Sequence, residues 1–282
     1  MNTHPASLLA DGRNIRDQQR FAFGENWWRF LAVLDSDRIE VAEDSLRQLL
    51  ALDDLHGKTF VDVGSGSGLF SLAARRMGAK VHSFDFDAQS VACTRELKRR
   101  YFSDDEHWQI DEGSILDANY LDRLGRFDIV YSWGVLHHTG DMWQALRNVD
   151  HLVGDRGQLA IALYNDQGTA SRIWRTIKRL YVALPRALRF LLVGLCYMRL
   201  WGPTTVKDFL RLRPFATWRA RKLTRGMSPH RDVIDWVGGY PFEVCKPEQV
   251  FDHFRLLGYH LTKLKTCSGG RGCNEFAFRR GS

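Results

Sequence analysis

Apolar residues along the chain fall into two rhythms that alternate. Between residues 15 and 55 the spacing is helical, with Trp27, Phe30, Leu31 and Leu34, then Ile39, Leu46, Leu49 and Leu50, three, four or seven apart. "KTFVDVG" is a short β-rich run broken by glycine, "GLFSLAARRMG" has helical periodicity ending at Gly78, and "KVHSFDF" is a second strand. The order continues with a helix in "AQSVACTRELKRRYF", a strand in "HWQIDEG", a strand in "RFDIVYSWGVLHH", a helix in "DMWQALRNVDHLV" and a fifth strand in "GQLAIALYN". Such alternation predicts an α/β fold: a doubly wound, mostly parallel sheet with helices on both faces.

After Asn165 the rhythm breaks. Residues 168–240 are basic, aromatic and helical in pattern, interrupted by Pro185, Pro203 and Pro214. Alternation returns with a helix in "KPEQVFDHFRLLG" and strands in "YHLTKLKTCS" and "NEFAFRR", joined by "GGRGC", which predicts an antiparallel hairpin at the sheet edge and seven strands in all. The expected organisation is an N-terminal helical lid (1–55), a core (56–167), a helical cap inserted after strand 5 (168–240), and a terminal helix and hairpin completing the core (241–282). The longest apolar run, Phe190 to Met198, is too short to span a bilayer.

Composition changes this picture in one place. Of the 282 residues, 44% are hydrophobic and 26% charged, ordinary values for a globular chain. The net charge of +7 hides a concentration: Gly168 to Arg231 holds fifteen Lys or Arg against Asp208 alone, +14, so the remainder sums to 7 − 14 = −7. The insertion is therefore the part expected to meet something anionic. Five cysteines, with no C-x-x-C pair, argue for reduced thiols in a cytoplasm and against a disulfide framework or zinc site. The polar "MNTHPASLLADGRN", with early Asp11, does not read as a secretion signal. No cluster of acids and histidines has ligand spacing, so no metal is expected.

Gly64, Gly66 and Gly68 follow the first strand and open a helix, which suits a ligand that approaches the main chain closely. Their G-x-G-x-G spacing differs from the dinucleotide fingerprint, and Asp62 precedes them. A carboxylate there would repel a pyrophosphate but suits the cationic amino group of an amino-acid tail. Asp85, ending the second strand, is placed to accept ribose hydroxyls.

"VDVGSGSG", "HSFDFD", "EGSILD" and "FDIVYSWGVLHH" resemble the successive motifs of class I S-adenosylmethionine (SAM)-dependent methyltransferases, over residues 55–165 and the terminal helix and hairpin. The wider pattern, from "YNDQG" through "GGYPFE" to "GCNEF", is similar to a bacterial quinone-methyltransferase-like group also found with glycan-assembly enzymes. The resemblance implies a Rossmann-like fold and SAM as cofactor, held by Asp62, Gly64, Ser65, Gly66, Gly68 and Asp85, with Phe86 on the adenine and Trp133 lining the site. Where the family has Gly-Asp after strand 3 this chain has Gly113-Ser114, so Ser114 and Ile115 inherit the adenine position with a weaker polar contact.

Methyl transfer from a sulfonium requires alignment of the acceptor and, for a hydroxyl, removal of a proton. The carboxyl ends of the strands collect His137, His138 and Tyr164 as catalytic candidates. Adjacent histidines point in different directions, so at most one faces the acceptor, and either can instead be held by backbone hydrogen bonds. Trp27 and Trp28 read as a lid or as helix core, and Asn165, Arg271 and Asn274 as acceptor contacts or parts of a turn.

The basic insertion has three readings: a solvated cap, a dock on an anionic membrane through residues 171–200, or, last, a nucleic-acid surface. The expectation is methyl transfer to oxygen, ahead of nitrogen, of a small or lipid-linked acceptor such as a glycan sugar or quinone precursor. Two rivals stand beside it: intramolecular cyclisation of SAM releasing methylthioadenosine, and an RNA methyltransferase or RNA-binding protein.

Overall fold

A computed structural model describes residues 24–213, 217 and 229–281. Asp11, Pro214 and the start of "RGMSPH" lie outside these residues. The N-terminal helical stretch is two helices, α1 (Gly24–Leu31) and α2 (Ser36–Leu50). They part at Asp35, whose side chain caps α2 by accepting from the Arg38 amide at 3.0 Å.

The core alternates as the apolar rhythm predicts: β1 (Thr59–Val63), α3 (Leu69–Arg76), β2 (Lys80–Asp85), α4 (Ala88–Tyr101), β3 (Trp108–Glu112), α5 (Ala118–Leu124), β4 (Phe127–Trp133), α6 (Met142–Leu152) and β5 (Val153–Tyr164). Asp87, Asp117 and Asp141 start α4, α5 and α6, each side chain accepting a backbone N–H of the first turn. Two elements depart from expectation. The short α5 follows β3, and β5 begins at Val153, earlier than "GQLAIALYN", with a register shift opposite Phe127 and Ile129.

The insertion holds α7 (Thr169–Ala183), α8 (Arg189–Leu210) and α9 (Pro229–Gly238); the chain returns through α10 (Pro247–Leu256), β6 (Tyr259–Lys265) and β7 (Cys273–Arg280). The seven strands are ordered β3-β2-β1-β4-β5-β7-β6, parallel except for β7, which is antiparallel to β5 and β6. The expected hairpin thus sits at the sheet edge, with β6 outermost.

Phe60 to Val63 are all buried because β1 is central and covered on both faces. One core layer joins Val61, Val63, Val130, Leu146 and Phe254; the other joins Leu46, Phe60, Leu72, Trp108 and Tyr131. A third cluster lies wholly in the cap, around Tyr181, Val193, Trp201 and Val237. Strand order reverses direction between β1 and β4, and the crevice at such a switch point, beyond the carboxyl ends of the strands, is where open α/β sheets bind ligands.

Candidate active site

Asp62 and Asp85 end neighbouring strands at this crevice. Asp62 is buried and accepts from the Ser71 hydroxyl at 2.5 Å. Ser83 donates to Ser71 at 2.7 Å, and the Trp108 indole N–H donates to Ser83 at 2.8 Å. A relay from β3 through β2 and α3 therefore ends in a single hydroxyl donating to the carboxylate. Burial, the largest cause, pushes Asp62 up to about 7, against the Ser71 hydrogen bond, with the Asp85 charge adding to the rise.

Asp85 accepts the Gly66 amide at 2.9 Å and the Asp87 amide at 2.9 Å, and burial pushes it up to about 6 against those bonds. Among the described residues neither carboxylate has an ion-pair partner. The buried Asp62 and the half-buried Asp85 are two acceptors at one crevice that fit a ligand carrying hydroxyls and a cation.

The glycine loop runs between them. Gly66 has φ +55°, and a Cβ there would come within 3.1 Å of the Trp27 ring. Trp27 thus lies on the loop, while Trp28 is exposed. α1 is anchored where it starts: the Gly24 amide donates to Asp87 at 2.9 Å, at the head of α4. Ser65 bonds Thr94 at 3.0 Å and Gly68 is the left-handed residue that caps α3. Phe86 and Trp133, at the tips of β2 and β4, are each nearly half exposed. Ser114 accepts the Leu116 amide at 3.1 Å, and Ile115 is buried, its carbonyl held by Asn148 at 2.7 Å.

His137 and His138 lie on a 3-10 turn after β4, and against the expectation that they point apart their rings pack together, tilted by 56° with centroids 4.5 Å apart. His137 is fully buried; its Nδ1 accepts the Tyr164 amide at 3.3 Å, and its ring packs on Tyr164 with centroids 3.8 Å apart. His138 is half-buried and its Nδ1–H donates to the Pro241 carbonyl at 2.6 Å, which leaves Nε2 as the basic nitrogen. Burial and then the neighbouring charges, Lys178 among them, hold His137 well below its ordinary value and push His138 down to about 3. Both rings are uncharged at neutral pH.

Tyr164 belongs to a wall of rings, with Trp236 at 5.5 Å and Phe242 at 5.4 Å between centroids. Lys178 of α7 is buried against it, its ammonium 4.5 Å from the Trp236 centroid and 4.8 Å from that of Phe242, donating to the Trp236 carbonyl. Glu243 locks the returning chain onto the β4–α6 turn: its amide donates to the His137 carbonyl at 2.9 Å, and its carboxylate accepts the Met142 amide at 3.0 Å. Burial pushes this acid up to about 6.

The structure separates the remaining candidates. Asn274 is buried and donates to Asn165 at 3.0 Å; its oxygen accepts the Cys267 amide at 3.1 Å. Asn165 in turn donates to the Gly270 carbonyl at 3.4 Å. These two amides shape the β6–β7 loop, and Arg271 is exposed upon it. The sequence does not single out Lys178, Trp236, Phe242 and Glu243 one by one, although Phe242 and Glu243 fall in the "GGYPFE" pattern. Lys178 is one of fifteen bases in its segment, and the other three sit in "DWVGGYPFE", an aromatic and glycine-rich stretch whose partners are sixty to a hundred residues away. Ser83 carries a signal of its own, as a polar residue inside the apolar run of β2.

The switch-point crevice, the acid pair of Asp62 and Asp85 and the glycine loop between them define a nucleoside-binding α/β core. Residues 61–159 match the family model described as a methyltransferase domain. Among curated relatives, the ubiquinone biosynthesis O-methyltransferase of Rhodopseudomonas palustris (strain TIE-1) is 27% identical over 51% of this chain and 53% of its own length. That of strain BisB5 is 27% identical over 67% of this chain and 74% of its own. The chain spans about half the length of the first of these relatives. Among solved structures, the magnesium protoporphyrin IX methyltransferase from Synechocystis PCC 6803 with bound SAM shares the fold: TM-score 0.54 at 12% identity, covering 95% of this chain and 100% of that one. Residues 61–159 thus match a methyltransferase domain, and the chain has the fold of a SAM-binding methyltransferase.

Proposed function

We propose that the protein transfers a methyl group from SAM to an oxygen of a small or lipid-linked acceptor, such as a quinone precursor or a glycan sugar. The observation that carries the reading is the buried Asp62, unpaired with any base among the described residues and raised to about 7, one strand from Asp85. In this reading Asp62 holds the cofactor's amino group and Asp85 its ribose hydroxyls, while Gly64, Ser65, Gly66 and Gly68 supply a main chain free of obstructing side chains. Phe86, Ser114, Ile115 and Trp133 border the adenine, and Trp27 covers the loop from above. When bound, SAM supplies an electrophilic methyl on a sulfonium with a neutral thioether as leaving group.

The chain's own residues then have two tasks, to position the acceptor and to take its proton. His138 is the better base of the pair, because its Nδ1–H is fixed on Pro241 and the lone pair is held on Nε2. His137 is enclosed, with Nδ1 on the β5 backbone, and acts as the shelf on which Tyr164 rests. The ring wall of Tyr164, Trp236 and Phe242 favours an acceptor with a flat or apolar body. The curated quinone O-methyltransferases support the choice of oxygen.

The test is incubation of the purified protein with SAM, alone and with fractionated bacterial extract. S-adenosylhomocysteine formed only in the presence of an extract fraction is expected. Methylthioadenosine formed without any acceptor would replace methyl transfer with intramolecular cyclisation, and product formed only with an RNA fraction would move the acceptor to nucleic acid.

A further inference from the structure

Helix α8 carries apolar side chains both into the cap and out to the surface, with Arg199 and Lys207 its exposed charges. On one side Val193, Cys196 and Trp201 are buried with Tyr181 of α7 and Val233 and Val237 of α9. On the other, Leu191, Leu195, Met198, Val206 and Phe209 are 54%, 61%, 63%, 59% and 53% exposed. At ~100° per residue these five fall within a sector of about 80°. A surface helix of a globular protein places charge there instead. Leu188, Phe190, Leu210 and Leu212 enlarge the exposed apolar surface of the same segment. Single exposed leucines need no explanation, but a continuous patch does.

The charge around the patch is of one sign. From Gly168 to Arg213 there are ten bases and one acid, Asp208, net 10 − 1 = +9. Asp208 is turned inward, accepting from the Thr217 amide at 2.8 Å and hydroxyl at 2.7 Å. Lys178 is buried and Arg189 is bonded to the Val182 and Leu184 carbonyls. Arg172, Arg179, Arg186, Arg199, Lys207 and Arg211 remain at the surface.

We propose that this face of the cap docks on an anionic phospholipid bilayer, the Leu191–Phe209 stripe entering the boundary between headgroups and acyl chains and the surrounding bases lying against the headgroup phosphates. Charge and apolarity together select this partner. A second copy of the chain would bring like charge to like charge. Nucleic acid would satisfy the bases but leave the stripe in water. Among the described residues no helix is long and apolar enough to cross a membrane, so α8 lies on the surface. The inference stands on the chemistry of the cap and is independent of methyl transfer.

Flotation of the full chain with vesicles tests it, using phosphatidylcholine alone and phosphatidylcholine with one quarter phosphatidylglycerol. Binding is expected to the second only and to weaken with added salt. Leu195→Glu with Met198→Glu is expected to lower partitioning about tenfold or more, as is Arg179→Glu with Arg186→Glu. Cofactor affinity by calorimetry and the thermal midpoint should be unchanged in both pairs; where the first pair lowers the midpoint, the charge pair supplies the readout. Equal binding to neutral vesicles, indifference to both pairs, a chain that stays in solution, or a stripe variant that only converts dimer to monomer would each overturn the proposal.

Discussion

Replacing Asp62 by Asn tests the central claim about the crevice. In the cofactor-free fold this acid stands at about 7 against an ordinary 3.8, because it is buried and the Asp85 charge lies near it. A carboxyl raised by folding favours the native state while it is protonated. That contribution is complete below pH 3.8 and is lost as pH rises through 7. The loss approaches about 4 kcal/mol above pH 7 and is about 1–2 kcal/mol at pH 5. Asn keeps an acceptor for Ser71 and carries no charge. The unliganded variant should therefore gain stability over wild type, with a gain about 2–3 kcal/mol larger at pH 8 than at pH 5. The neutral buried histidines, which lower stability below their unfolded pKa, contribute equally to both proteins and cancel in the difference. Urea unfolding midpoints at the two pH values measure it. The same variant should lose about 1.5–3 kcal/mol of SAM affinity, the scale of a hydrogen bond to a charged partner, by calorimetry. A stability gain that is the same at both pH values, together with unchanged affinity, would refute the assignment of Asp62 to the cofactor's cation.

The other predictions are shorter. Asp85→Ala should weaken SAM binding by about 1–3 kcal/mol, because ribose hydroxyls would be buried without an acceptor; unchanged binding by calorimetry would remove Asp85 from the site. His138→Gln should lower kcat about 100-fold or more while SAM affinity stays within twofold of wild type, as a lost general base requires; single-turnover kinetics separate the two. Wild-type kcat/KM for SAM should fall as pH drops below 7, through protonation of Asp62 and then Asp85, with no limb from His138 until far more acid conditions, since that ring is pushed down to about 3.

The parts of this molecule that were legible in the sequence are those where chemistry and periodicity are local. Five strands and their helices follow from apolar spacing, and Asp62, the glycines and Asp85 lie within 24 residues of one another around a single strand-turn-helix unit. The cap-side wall was not legible. The "GGYPFE" pattern marks the stretch, but the roles of Lys178, Trp236, Phe242 and Glu243 emerge only when α7 and the returning chain meet β4 and β5. Asn165 and Asn274 were legible as a pair of alternatives, an acceptor contact or part of a turn. Polar residues among glycines suggest a ligand, and in the fold these side-chain amides also serve the β6–β7 loop, Asn274 accepting the Cys267 amide and donating to Asn165.

The segment Pro241–Glu243 has a consequence for anyone who would exchange the cap. It orients one imidazole through a proline carbonyl, supports the backbone of the other, and caps α6 with a carboxylate. In the proposed reading, specificity and proton removal are thus stitched by the same three residues. A chimera that imports a foreign insertion but cuts upstream of Pro241 keeps the stitching intact, whereas one that cuts downstream of Glu243 inherits a reaction centre with its seam undone.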